Sequence, residues 1–181
     1  MKYIIFSDSH GSDYNMKEVM RMHAGTADGI LFAGDGCLEF DNLALLYPEK
    51  HTERVAGNYE ELMLRSKYDM QSVFTIGKYR IFLTHGHRYN VKYGYSAIYM
   101  KARELDADAV IFGHTHEQML EYISGEDMGR ERPLYLFNPG SISRPRESRL
   151  PTYGILDIAK DQIHFTKASL DVFGSSSKGG Y

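Results

Sequence analysis

The feature that most constrains this chain is a repeated ending. Five short segments with strand character, at 3–6, 29–33, 53–56, 79–84 and 109–112, each run into Asp, Asn or His. The endings read Ser7-Asp8-Ser9-His10, Gly34-Asp35, Gly57-Asn58, His85-Gly86-His87 and Gly113-His114-Thr115-His116. Such short runs, closed by glycine or polar residues, have the length of strands rather than helices. In open α/β sheets, ligand sites form at the carboxyl ends of the strands, so one edge can collect residues far apart in sequence. Glycine beside the polar residue lets the backbone turn sharply there.

Between these strands the periodicity is helical. Met16, Val19, Met20 and His23 follow Ser12 and Asp13, either of which can cap a helix. Leu38, Phe40, Leu43, Leu45 and Leu46 predict a second helix, stopped at Pro48, and a helical turn is expected at 62–66. A further helix is expected over 95–105, with Ile98, Ala102 and Leu105 inward. The later half is richer in strands. Segments 72–76 and 79–84 predict a hairpin around Gly77-Lys78, and 118–123 and 134–137 flank a polar loop. Asn138-Pro139-Gly140-Ser141 reads as a turn, and 153–158 with 162–167 predict a closing hairpin. Strand–helix alternation followed by hairpins points to an α/β fold of two packed sheets with helices outside. One domain over 1–170 is expected, then a Gly/Ser-rich tail, 171–181, read as a flexible terminus.

Composition narrows the function classes. A net charge of −3 over 181 residues argues against a general nucleic-acid binder. The sole cysteine, Cys37, excludes an internal disulfide and fits a reducing compartment. The apolar run near the N-terminus is too short for a signal peptide, and no window approaches the ~20 apolar residues of a membrane span. These features predict a cytoplasmic protein with no membrane partner.

Each ending has an ordinary reading when taken alone. Asp8 and His10 could be a helix cap and a surface histidine, Asp35 a turn residue, and Gly57-Asn58 a turn pair. These readings would have to hold together at five successive strand ends. Carboxylate, amide and imidazole are also the ligand set for divalent ions such as Zn, Mn, Fe or Co.

The ordered set Asp8-Ser9-His10, Gly34-Asp35, Gly57-Asn58, His85 and Gly113-His114-Thr115-His116 resembles the calcineurin-like metallophosphoesterase superfamily. Asn138-Pro139-Gly140-Ser141 extends the likeness, and the small size is similar to the YfcE-type branch of small phosphodiesterases. The resemblance implies a four-layer α/β/β/α sandwich and two divalent ions per chain, manganese foremost, with Zn, Fe, Ni or Co as alternatives. It implies that Asp8, His10 and His116 hold one ion, that Asn58, His85 and His114 hold the other, and that Asp35 bridges both. It also implies a small-molecule phosphoester as partner, and a hydroxide between the ions would be the nucleophile toward phosphorus. His87 is then expected behind the ligands or near substrate, and Ser141, Arg144 and Arg146 at the substrate, the arginines suited to bidentate phosphate contacts. Cys37 is expected to pack beside the site loop. Tyr14, Tyr89, Tyr93 and Tyr95 could line a cleft or join the core.

One position departs from the family pattern. Many members carry histidine after Gly-Asn, where it is held to protonate the leaving group, and this chain has Tyr59. A phenol with a pKa near 10 is a poorer acid than imidazolium at neutral pH, so activated esters are the expected substrates. Counting two ions, two carboxylates and one hydroxide, a monoanionic diester neutralises the site and a dianionic monoester overshoots. The expected activity is therefore phosphodiester hydrolysis. The alternatives are a phosphomonoesterase or a catalytically weak metal-binding scaffold. Relatives often associate, which implies a homo-dimer or homo-tetramer.

Overall fold

Alternation along the first strand decides how the layers form. In β1 (Lys2–Phe6), Ile4 and Phe6 face one side while Tyr3 and Ile5 face the other, as a two-residue repeat requires. Both sides are buried, so this strand needs a layer on each. The computed structural model describes residues 1–63, 67–127, 129–160 and 162–171.

The chain continues as α1 (Tyr14–His23), β2 (Gly29–Phe32), α2 (Cys37–Ala44), β3 (His51–Arg54), α3 (Asn58–Met63), β4 (Gln71–Ile76) and β5 (Tyr79–Thr84). It goes on as α4 (Ser96–Glu104), β6 (Ala109–Ile111), β7 (Gln118–Ile123), β8 (Leu134–Pro139), β9 (Thr152–Ala159) and β10 (Gln162–Ser169). Two five-stranded mixed sheets result, ordered β10-β9-β1-β2-β3 and β4-β5-β6-β8-β7. β1, β2 and β3 run parallel in the first, and β5, β6 and β8 run parallel in the second.

Three apolar layers fill the spaces between four structural ones. Met16, Val19 and Met20 of α1 and Phe40 and Leu43 of α2 pack on Ile4, Phe6, Ile30 and Phe32. Between the sheets, Tyr3, Ile5 and Leu31 meet Ile81, Leu83, Ala109, Ile111 and Phe137. Outside the second sheet, Ile98 and Ala102 of α4 cover Phe82, Val110 and Leu136. This is the expected α/β/β/α sandwich. Among the described residues no helix is long and apolar enough to cross a membrane.

Several local expectations shift. β3 ends at Arg54, paired with Phe32, so the expected strand at 53–56 lies two residues early of its predicted place. Val55 and Ala56 supplied the apolar signal because they are buried beyond the last pair. Asp13 occupies the N-cap of α1 without capping it and instead pairs with Lys17 at 2.6 Å. The Asn138–Ser141 turn is partly strand, because β8 continues to Pro139 opposite Gln118. α3 starts at Asn58, ahead of the expected turn at 62–66; residues 64–66 lie outside the described ones. So does the Gly/Ser-rich tail beyond Asp171.

Candidate metal centre

The parallel strands of both sheets deliver their carboxyl ends to one edge, and the two sheets are tied together there. The Asp8 N–H donates to the Gly34 carbonyl and the His10 N–H to the Asp35 carbonyl, joining the ends of β1 and β2. Across the sheets, His114 N–H donates to Asp8 Oδ2 at 3.1 Å, and His85 Nδ1–H donates to the Ala33 carbonyl at 2.6 Å. Gly113 allows this approach, because a Cβ there would lie 1.9 Å from Ser7 Oγ and 2.8 Å from Asp8 Oδ2.

Two close groups of potential ligands form at the edge. Asp8, His10 and His116 make one, and Asp8, Asp35 and His85 make the other, with donor atoms in each within 4.8 Å of one another. Asp8 is thus common to both, where the resemblance gave the shared position to Asp35. The residues on both sides of Asn58 touch Asp35: Tyr59 N–H donates to its Oδ1 at 2.8 Å, and Gly57 leaves no room for a Cβ against the same oxygen. The His114 ring stands 5.1 Å from that of His85, outside both close groups.

The hydrogen bonds show which atoms the site keeps free. Ser7 Oγ and His114 N–H both donate to Asp8 Oδ2, while Oδ1 is buried with no hydrogen-bond partner among the described residues. A carbonyl only accepts, so the bonds to Ala33 and Arg144 place the proton of His85 and of His116 on Nδ1. Nε2 of each ring faces Asp8: 3.9 Å from Oδ1 for His85 and 3.2 Å for His116. His85 Nε2 and Asn58 Oδ1 are likewise buried without a hydrogen bond among the described residues, and His85 Nε2 lies 3.4 Å from Asp35 Oδ2. Buried polar atoms without hydrogen bonds are costly, so Asp8 Oδ1 and His85 Nε2, 3.9 Å apart, argue for an ion that satisfies them.

The backbone carries a matching signature. Asp8, His10, Asp35, His114 and His116 all have positive φ, between 45° and 72°. Non-glycine residues avoid this region, and such strain collects at functional sites.

Charge coupling is strong in the ion-free chain. Burial would raise Asp35, but His85 and the Tyr59 N–H hold it down at about 2. Burial is also the largest single influence on Asp8 and would raise it, but the charge of His85, His116 and the Ser7 hydroxyl together lower it. Burial would strip His85 of its proton, yet Asp8 and Asp35 raise it to about 9. Burial and the charge of His85 push His114 down to about 4.

Other expected residues fall in different places. Ser141, expected at the substrate, is fully buried and donates to the Asp8 carbonyl at 2.8 Å, tying its turn to the loop that carries Asp8. The Arg144 carbonyl accepts from His116, and Arg144 borders a cleft of about 340 Å³ together with His10, Gly36, Leu38, Tyr59 and Glu60. Arg146 lines a different hollow with Lys92 and Tyr95. His87 lies behind the centre, its Nε2 2.7 Å from Glu61 Oε2. Tyr14 and Tyr93 are exposed, whereas Tyr89 and Tyr95 pack on the outer core of the second sheet. Cys37 is buried beside Asp35, and its thiol donates to the Val55 carbonyl at 3.2 Å.

Sequence reasoning missed Glu60 and Glu61. The buried Glu60 carboxylate accepts from the N–H groups of Asp35, Gly36, Cys37 and Gly57 at 2.7–3.1 Å. The available signal was its place three residues after Gly57, the spacing of a capping-box acid that reaches back to the residue before a helix.

Known proteins share this fold. The family model for the calcineurin-like phosphoesterase superfamily domain matches residues 1–161. The probable metallophosphoesterase YsnB of Bacillus subtilis (strain 168) is 32% identical over 161 residues, covering 89% of this chain and 86% of that one. A conserved uncharacterized protein of Streptococcus pneumoniae TIGR4, described as a predicted phosphoesterase, superposes with a TM-score of 0.74 at 26% identity over 93% of this chain and 88% of the other. Yfce, a phosphoesterase from E. coli, shares the fold with a TM-score of 0.61 at 23% identity over 94% and 100% of the two chains. The ligand-type residues at the strand ends, the sandwich that gathers them and the match over most of the length place this chain in the calcineurin-like phosphoesterase superfamily.

Proposed function

We propose that this protein is a phosphodiesterase working with two divalent metal ions, manganese foremost. The observation that carries the reading is the set of atoms buried without hydrogen bonds among the described residues, Asp8 Oδ1, Asn58 Oδ1 and His85 Nε2, at one converging edge. In this reading Asp8, His10 and His116 hold one ion, Asn58, His85 and His114 the other, and Asp35 serves both, with Asp8, common to the two close groups, beside it. Bound divalent ions supply Lewis acidity toward a phosphoryl oxygen and make water acidic enough to attack near neutral pH.

The chain's own residues hold the donors in place. The Ala33 and Arg144 carbonyls fix the tautomers of His85 and His116, and Ser7 with the His114 N–H turns Asp8 Oδ1 inward. Arg144 borders the neighbouring cleft, where a guanidinium suits a phosphate oxygen. The formal charge count of two ions, two carboxylates and a hydroxide favours a monoanionic diester.

The test is elemental analysis of the purified protein, followed by hydrolysis of bis(p-nitrophenyl) phosphate and p-nitrophenyl phosphate with added Mn²⁺. The expected results are at least one tightly held transition metal per chain, faster cleavage of the diester, and losses of about 100-fold or more in Asp35→Asn and His114→Ala. Wild-type rates in both variants would refute the assignment. Faster monoester cleavage would make the protein a phosphomonoesterase, and metal binding without turnover would make it a scaffold.

A further inference from the structure

Beside the metal centre lies a cleft whose lining has a mixed character. It is bordered by His10, Leu38, Glu39, Tyr59, Glu60 and Arg144 and measures about 340 Å³. That volume suits one small-molecule group rather than a polymer. His10 places the cleft in direct continuity with the centre.

Glu60 lines the cleft but is spent on four backbone N–H groups, so it offers little to a ligand. The guanidinium of Arg144 has no ion-pair partner among the described residues, and its charge is felt at His10. Leu38 and Tyr59 border the cleft too, 49% and 52% exposed although both are large and apolar in body. Tyr59 is held by its backbone, because its N–H donates to Asp35 Oδ1. That bond fixes the backbone of Tyr59 beside the centre, and the flat face of its half-exposed ring is a stacking surface. Glu39 at the same cleft carries negative charge and disfavours a second phosphate there.

We propose that this cleft is a subsite for a neutral planar arm of the phosphoester, an aryl group or a nucleoside, packed between Tyr59 and Leu38 while Arg144 meets the phosphoryl oxygens. This assignment rests on the phosphoesterase reading and adds its substrate class: esters carrying one aromatic, uncharged arm. Tyr59 is then a specificity-determining residue.

The experiment measures binding by calorimetry to the manganese-loaded protein, with methyl phosphate, phenyl phosphate and AMP as probes. Phenyl phosphate and AMP are expected to bind about tenfold more tightly than methyl phosphate, a gain typical of one stacked ring. Tyr59→Ala should reduce that preference to within about twofold, Tyr59→Phe should retain it, and Arg144→Gln should weaken all three probes alike. AMP binding more tightly than phenyl phosphate identifies a nucleoside arm, and equal binding a simple aryl group. An unchanged preference in Tyr59→Ala overturns the subsite. The two readings fail separately. A preference that depends on Tyr59 in a protein that cleaves no diester refutes the enzyme alone. Diester cleavage with equal KM for aryl and methyl esters refutes the subsite alone.

Discussion

Gly113 shows how little freedom a single residue has at this centre. Its missing side chain is what lets the end of β6 lie against Ser7 and Asp8. Gly113→Ala would drive a methyl group into Ser7 Oγ and disturb the bonds that aim Asp8 Oδ1. Overpacking of this kind costs about 1–3 kcal/mol. The variant should therefore unfold at lower urea and lose most of its metal, measurable by denaturation and elemental analysis; wild-type metal content would argue that Asp8 does not depend on this contact. Tyr59 supports an opposite test. Imidazolium is the better acid at neutral pH, so Tyr59→His should accelerate diesters with alkyl leaving groups by about tenfold or more while aryl esters change little. Parallel rates on methyl and nitrophenyl esters would show it, and no gain with alkyl esters would remove the argument from a missing acid.

Among the elements, α3 does more than its six residues suggest. It begins at Asn58, and through Glu60 it binds the loop that carries Asp35 and the first N–H groups of α2. Gly36 stands at the N-cap of α2 with no side chain to cap it, so an acid from another helix does the capping. Glu60→Gln would turn an amide N–H₂ toward donors, leaving unpaired N–H groups in a buried position. Bonds to charged acceptors are worth about 1.5–3 kcal/mol each, and a loss of about 2–4 kcal/mol is expected in urea unfolding. A loss under 0.5 kcal/mol would mean that water replaces the carboxylate. Glu60 also marks where the sequence stops being readable. The ends at Asp8, Asp35, Asn58, His85 and His114 could be recognised because each follows a strand signal that burial imposes locally. The role of Glu60 exists only once Gly34–Cys37 and Gly57 have converged, and no local pattern encodes that meeting. Ser141 is a similar case: its bond to the Asp8 carbonyl spans 133 residues, and no local pattern encodes it. The slip of β3 has the reverse cause, since Val55 and Ala56 are apolar because they are buried past the strand and not because they pair.

At the scale of the whole molecule, the centre links stability to pH, because it gathers charges that the unfolded chain keeps apart. In the ion-free protein His85 is raised to about 9: burial opposes its proton, but Asp8 and Asp35 prevail. A folded value above the unfolded one, about 6.5, means that the native chain holds the proton more tightly. This contribution is complete below pH 6.5 and is lost as pH rises through about 9. His114 has the opposite sign, since burial and the charge of His85 lower it to about 4. Its contribution is complete above pH 6.5 and is lost as pH falls through about 4. Asp35, at about 2, loses its own contribution only below the ordinary carboxylate range, outside this window. The metal-free protein should therefore have its highest Tm near pH 6.5, declining on both sides. An ion at His85 Nε2 takes the proton's place between the two aspartates, so binding near pH 7.5 should release about one proton. The decline in Tm above pH 7 should then disappear with Mn²⁺ and return with a chelator. Thermal scans from pH 4 to 10, with Mn²⁺ and with chelator, read both limbs, and binding enthalpies in buffers of different ionisation heat count the proton. Alkaline limbs that coincide with and without metal would show that the ion does not bind at His85.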